Sequence, residues 1–201
     1  FKNIVHTEKL DGENTCISEL GIFARSHAAP TQHPWANYLK ERHGLMVSDL
    51  KGMNLELFGE NIYAIHSIIY PNIESHFYVF GARILDMWLS WEEVKWYAGF
   101  FDLPTVPELL IQPTDDVKVI EKTVIDFSKQ PGTFGSLQNG VEPIKECTME
   151  GVVSRNLEEY PVKDLSVNLM KYVRKDHVQT DVHWSRNWKR AQLISEKNKI
   201  Y

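Results

Sequence analysis

The sequence predicts an α+β fold, and three observations carry that expectation. Short runs rich in β-forming residues are punctuated by Gly, Asn and Asp turns, most densely in the first third of the chain. Helical patterns are interspersed among these runs in irregular order, which departs from the strict strand–helix alternation of a parallel sheet. No repeat, low-complexity tract or long linker divides the 201 residues, and a hydrophobic content of 43% is enough to bury a real core, so one domain over residues 1–201 is expected.

The elements follow in order. IVHTEK, TCISEL and GIFARS read as strands separated by DGEN and by Gly21, giving an antiparallel opening. Residues 34–43, PWANYLKERH, start with a proline and space Trp35, Tyr38, Leu39 and Arg42 helically. NLELFGENIYAIHSIIY and HFYVFGARIL return to strand character. Ser90 and Glu93 form a capping box for the helix in SWEEVKWYAGFF, whose apolar positions recur every three or four residues. A further helix is expected over DVKVIEKTVIDFSK, closed by Pro131 and Gly132, and QPGTFGSLQNGVEP reads as a loop. EGVVSR and DLSVNLMKYVR are expected as strands. NWKRAQLISEK is expected as a closing helix capped by Ser185.

Composition excludes several classes. Cys16 and Cys147 stand far apart, fit neither a disulfide framework nor a zinc motif, and are expected as ordinary buried thiols in a reducing compartment. No apolar run approaches membrane-spanning length and FKNIVHTEKL lacks signal-peptide features, so a soluble, cytoplasmic monomer without membrane contact is expected. The formal charge of −5 argues against a non-specific nucleic-acid coat. The charge is uneven: from Lys163 onward nine Lys/Arg face four Asp/Glu, a local excess of five positive charges. Such a segment is either a solvated face or, with Trp184 and Trp188 interleaved, a track for a nucleic-acid backbone.

The chemistry centres on Glu8-Lys9-Leu10-Asp11-Gly12-Glu13-Asn14. A lysine ending a strand before an acidic turn is either a polar hairpin or a nucleophilic amine. The second reading requires a pKa lowered by neighbouring cations or desolvation and a turn that holds the amine at a pocket mouth. KLDGEN resembles the lysine-x-aspartate-glycine motif of the covalent nucleotidyltransferases, which comprise DNA ligases, RNA ligases and mRNA capping enzymes. Asn14 is similar to the RNA ligase variant. Further segments appear in the family's order: FARSH with Arg25, ELFGEN with Glu60, FYVFGAR with Phe80, EGVVSR with Glu150 and LMKYVR with Lys171. GENIYAIHSIIY and KYVRKDHVQTDVHW are similar to a group of compact single-domain RNA ligases.

The resemblance implies a ligase adenylylation domain: antiparallel sheets flanked by helices, ATP as AMP donor, and Mg2+ or Mn2+. Lys9 becomes lysyl-AMP. Glu8 offers backbone contacts to the adenine edge, Phe80 stacks on the ring, and Arg25 and Glu60 hold the ribose. Asp11 and Asn14 complete the nucleotide site, Glu150 holds the metal, and Lys171 neutralises the α-phosphate. The partners implied are RNA 5′-phosphate and 3′-hydroxyl ends, joined through an RNA-adenylate. Each residue has a plainer alternative: surface strand arginine for Arg25, turn carboxylate for Glu60, core aromatic for Phe80.

Two departures stand out. Val173 occupies a position where relatives often carry a second lysine, which leaves Arg174 or Lys175 to supply that cation, and Gly81 follows Phe80 where many relatives have aspartate. His27, His33, His43, His177 and His183 lack zinc-site spacing, and no P-loop is present. Only about thirty residues follow Lys171, too few for an appended oligonucleotide-binding barrel, so no such domain is expected within the chain. The rivals are a DNA ligase, a capping enzyme, and a non-catalytic nucleotide or RNA-end binding module.

Overall fold

A computed structural model describes residues 2–25, 28–175 and 185–197. His27, His177, His183 and Trp184 lie outside the described residues, so the expectations placed on them are not addressed by the structure. Strand β1 (Ile4–Lys9) is followed by β2 (Glu13–Ser18) and β3 (Gly21–Ala24), then by a 3-10 turn at Pro34–Ala36 that leads into α1 (Asn37–Leu50). Next come β4 (Leu55–Asn61), β5 (Ile68–Ile69), β6 (Phe77–Ile84), β7 (Met87–Trp88) and α2 (Trp91–Phe100). The chain continues through β8 (Glu108–Gln112), α3 (Val117–Ser128), β9 (Leu137–Gln138), β10 (Gly151–Asn156), β11 (Tyr160–Pro161), α4 (Leu165–Asn168), β12 (Leu169–Val173) and α5 (Ile194–Lys197).

Two antiparallel sheets organise these elements. The first has the order β12-β10-β1-β8 and the second β11-β7-β6-β4-β2-β3, with β5 and β9 pairing separately. Strands β1 and β2 therefore belong to different sheets, and Leu10, Asp11 and Gly12 form the corner between them. The larger core lies between the second sheet and helices α1 and α2, where Leu57, Val79, Trp91 and Val94 are fully buried. A smaller cluster seats Ile120 and Val124 of α3 against Ile4 and Val152 of the first sheet. Among the described residues, no helix is long and apolar enough to cross a membrane.

The capping box at Ser90 and Glu93 forms as expected, and α3 begins at an Asp116 cap that accepts from the Lys118 amide. Other elements differ from expectation. Helix α1 runs to Leu50, past residue 43, because Met46 and Leu50 fall on the face that already buries Leu39. In DLSVNLMKYVR only Leu169–Val173 is strand; the preceding residues turn through a 3-10 segment and α4, where the Asn168 side chain donates to the Asp164 carbonyl. The closing helix shrinks to Ile194–Lys197. Upstream of it the chain is extended, because the Ile65 amide donates to the Lys189 carbonyl and the Ala191 amide to that of Tyr63. Cys147 is half-buried while Cys16 is buried, and both are free thiols.

One irregularity bears on the site. Phe58 pairs with Gly81 and Gly59 pairs with Val79, which leaves Phe80 as the unpaired residue of a β-bulge. A methyl group at Gly59 would press on the ring of buried Phe77 and lie 2.7 Å from the Tyr78 carbonyl oxygen. Gly59→Ala is therefore expected to destabilise the protein by about 1–3 kcal/mol, read from the shift of its urea unfolding midpoint.

Candidate active site

The corner between the sheets is held rigidly. Gly12 leaves no room for a side chain, since a Cβ would stand 2.5 Å from the Asn61 carbonyl oxygen. Its amide donates to Glu60 Oε1 at 3.0 Å. The Asp11 amide donates to the Tyr70 hydroxyl at 2.8 Å, and Asp11 Oδ2 accepts from the Ser67 and Ile68 amides at 2.7 and 2.9 Å. Lys9, the last residue of β1, thus projects from a fixed point.

A cavity of about 490 Å³ opens there between the two sheets. All nine residues singled out in the sequence line it. From the first sheet and the corner come Glu8, Lys9, Asp11, Glu150 and Lys171; from the second come Asn14, Arg25, Glu60 and Phe80. Register explains the grouping. Lys9 pairs with Gly151, which brings the adjacent Glu150 to Lys9; Val153 pairs with Lys171, and Asn14 pairs with Glu60. Phe80 reaches the cavity from the bulge and is half-buried, whereas its neighbour Val79 is fully buried. Arg25 lies exposed in the turn after β3 and not within a strand.

The electrostatics differ from the sequence expectation in one respect. Lys9 Nζ donates to Glu150 Oε2 at 2.6 Å, with the two side chains 25% and 6% exposed. Burial pulls the Lys9 pKa down, but Glu150, Glu60 and Asp11 outweigh it and the net shift is upward. Carboxylates, not the expected cations, surround the amine. Burial pushes the Glu60 carboxyl up to about 8 against the opposing pull of Lys9. Glu8 is almost wholly buried, which raises its pKa; Oε2 accepts from the Thr133 amide at 2.8 Å while Oε1 has no partner. Of the Glu8 backbone groups, which the resemblance offers to adenine, the amide already donates to the Pro107 carbonyl.

The second cation expected from Arg174 or Lys175 is not in the cavity. Side chains alternate along β12, so Lys171 and Val173 face it while Arg174 turns toward Cys147, and the strand ends before Lys175. Arg155 lines the cavity instead. It is 3% exposed and donates from its two terminal nitrogens to the carbonyls of Phe80 and Leu89, both at 2.8 Å. Alternation along Gly151, Val153 and Arg155 was the available signal for it. Trp188 packs against Trp35 and Tyr63, at 6.0 and 5.9 Å between ring centroids, which anchors the final segment on the fold.

These features define a nucleotidyltransferase fold with a lysine at its inter-sheet cavity. A family model described as RNA ligase matches residues 2–173, and the chain belongs to that family. It is similar in fold to a Naegleria gruberi RNA ligase mutant solved in its apo form, with a TM-score of 0.55 and 17% identity over 80% of this chain and 49% of that one. Another mutant of the same ligase, solved with ATP and Mn, gives 0.53 and 17% over 87% and 50%. An archaeal ATP-dependent RNA ligase gives 0.54 and 17% over 86% and 43%. The chain therefore spans about half the length of these solved ligases or less. No curated protein matches it.

The Tyr70 hydroxyl offers a direct check on how the corner is held. Tyr70→Phe removes the acceptor of a buried amide, and a loss of about 1–3 kcal/mol is expected in urea unfolding.

Proposed function

We propose that this protein is an ATP-dependent RNA ligase that joins 5′-phosphate and 3′-hydroxyl ends. The observation that carries the reading is the convergence of Lys9, Glu150 and Lys171, distant in sequence, on one cavity of about 490 Å³. Family membership and the ATP-dependent or ATP-bound ligases of like fold support it.

The reaction runs in three displacements. Lys9, once its ammonium has lost a proton to solvent, attacks the α-phosphorus of ATP; a P–N bond forms, the P–O bond to the β-phosphate breaks, pyrophosphate leaves, and the nitrogen sheds a second proton to solvent. An RNA 5′-phosphate oxygen then attacks the same phosphorus and releases the Lys9 amine. Finally an RNA 3′-hydroxyl attacks the 5′-phosphate, loses its proton, and expels AMP. Phe80 stacks on the adenine, Arg25 and Glu60 hold the ribose, Asp11 keeps the corner in place and Asn14 borders the phosphate. Lys171 offsets charge on the phosphate oxygens in every step.

The donor set fits a divalent cation that arrives with the nucleotide. Among the described residues no group of three or more His, Cys, Asp or Glu side chains is arranged to hold a metal. Glu150 supplies one carboxylate, which suits Mg2+ or Mn2+ whose remaining ligands are phosphates and water. Such an ion would stabilise charge on the phosphate oxygens.

The protein is expected to retain label from α-labelled ATP after denaturation. Label from GTP alone would move the assignment to the capping class, and none from either nucleotide would favour a binding module. Lys9→Ala should abolish ligation with ATP yet still seal RNA already carrying 5′-AMP, whereas Lys171→Ala should impair both; equal behaviour of the two variants on pre-adenylylated RNA would overturn their division of labour. Phe80→Ala should weaken ATP binding by about 1–3 kcal/mol, measured by calorimetric titration, with its melting temperature little changed.

A further inference from the structure

A second cavity, of about 560 Å³, adjoins the first. The two share Asn14, Phe80, Arg155, Leu169 and Lys171 as a common wall. Beyond that wall the second cavity is aromatic: Phe23, Phe58, Trp88 and Tyr160 line it across the face of the second sheet. Gly81 also lines it, with the Trp88 ring 3.4 Å from where its Cβ would stand. The Arg83 guanidinium lies 5.7 Å from the Trp88 ring centroid and pairs with Glu56. Two polar atoms at the walls, the Trp88 indole N–H and the Asn14 side-chain oxygen, have no hydrogen-bond partner.

We propose that this cavity receives the nucleobase of the RNA nucleotide that bears the 5′-phosphate, stacked on Trp88. The choice of ligand rests on the ligase reading above. The RNA-adenylate of that reaction consists of two nucleosides joined 5′-to-5′ through a diphosphate, and the structure has two cavities of nucleotide size that meet at Lys171 and Arg155. With adenosine beside Phe80 in the first cavity, the second nucleoside extends from the shared wall into the second. An aromatic slot with few polar groups takes any base by its π-face, giving affinity without strong sequence preference. A base enclosed in this way cannot remain paired, so the 5′ end used by the protein is single-stranded or frayed. The cavity selects against a nick whose 5′ nucleotide stays in the duplex, because extruding that base costs unpairing and unstacking.

The test is equilibrium binding, which needs no catalysis. A short 5′-phosphorylated, 3′-fluorescent single-stranded RNA is titrated with wild-type protein, beside the same RNA with an abasic 5′ nucleotide. Loss of the base is expected to weaken binding about 10- to 100-fold. Trp88→Leu, which keeps apolar bulk but removes the stacking face, should weaken the base-bearing RNA to the same level and leave the abasic RNA unaffected; its thermal melt checks its fold. A nicked duplex with a paired 5′ end should bind wild type and Trp88→Leu alike. Equal affinity of wild type for the two single strands would overturn the proposal whatever the variant does, as would wild-type affinity of Trp88→Leu for the base-bearing strand. Labelling with ATP, run in parallel, separates the two readings. Base discrimination without label sinks the ligase reaction, and label without discrimination sinks the subsite.

Discussion

The ion pair between Lys9 and Glu150 is the constraint on which the rest of the site depends. It joins the end of β1 to the residue entering β10, and the ladder between those strands fixes its geometry. A largely buried pair gives little net stability, because desolvation offsets most of the attraction. Its significance is chemical. A lysine held as an ammonium beside a carboxylate cannot attack phosphorus, because its nitrogen lone pair is occupied by the proton. In the proposed reaction each group becomes useful to adenylyl transfer only when the Lys9–Glu150 pair parts, so entry of the nucleotide has to break it.

The placement of that pair rests on the corner after it, which is tied down on several sides. Leu10 is buried, Gly12 admits no side chain, and Asp11 is bonded through both backbone and carboxylate to the segment around residues 67–70. The corner is also where the chain crosses between sheets, so it sets how the two walls of the cavity face each other. On the proposed reading the motif carries two functions in adjacent residues: Lys9 as reactive group, and Asp11 with Gly12 as the joint that aims it.

Much of this was legible in the sequence, for physical reasons. Strand β1 was found at its true limits because IVHTEK is bounded by a turn, and helix α2 because its capping box is a local signal. The nine site residues converge because motif order reports on a shared topology. What could not be read was nonlocal. The extended course around Lys189–Ala191 arises from backbone pairing with residues 63–65, which overrides a helical pattern, and edge strand β8 carries no alternation. The environment of Lys9 was misjudged because its neighbours come from β4 and the start of β10. Arg155 was passed over as the end of a strand, although its parity with Gly151 and Val153 pointed inward.

The cavity raises an apparent contradiction, since the proposed reaction brings a polyphosphate into a space lined by more carboxylates than cations. Glu8, Asp11, Glu13, Glu60 and Glu150 face Lys9, Arg25, Arg155 and Lys171. Hydrogen bonding and burial resolve it. Glu8, Asp11 and Glu60 accept from backbone amides, and Glu13 accepts from the Trp35 indole at 3.0 Å, so each of these carboxylates is engaged by a neutral donor. Burial raises the pKa of Glu8, Glu13 and Glu60, which favours their neutral forms and lessens the formal excess of negative charge. Glu150 is bonded to Lys9 at 2.6 Å, and the proposed reaction requires that pair to part. The acidic lining is therefore largely structural, and in the proposed reaction the field at the phosphates comes from Lys171, Arg155 and Arg25 together with the state of the Lys9–Glu150 pair.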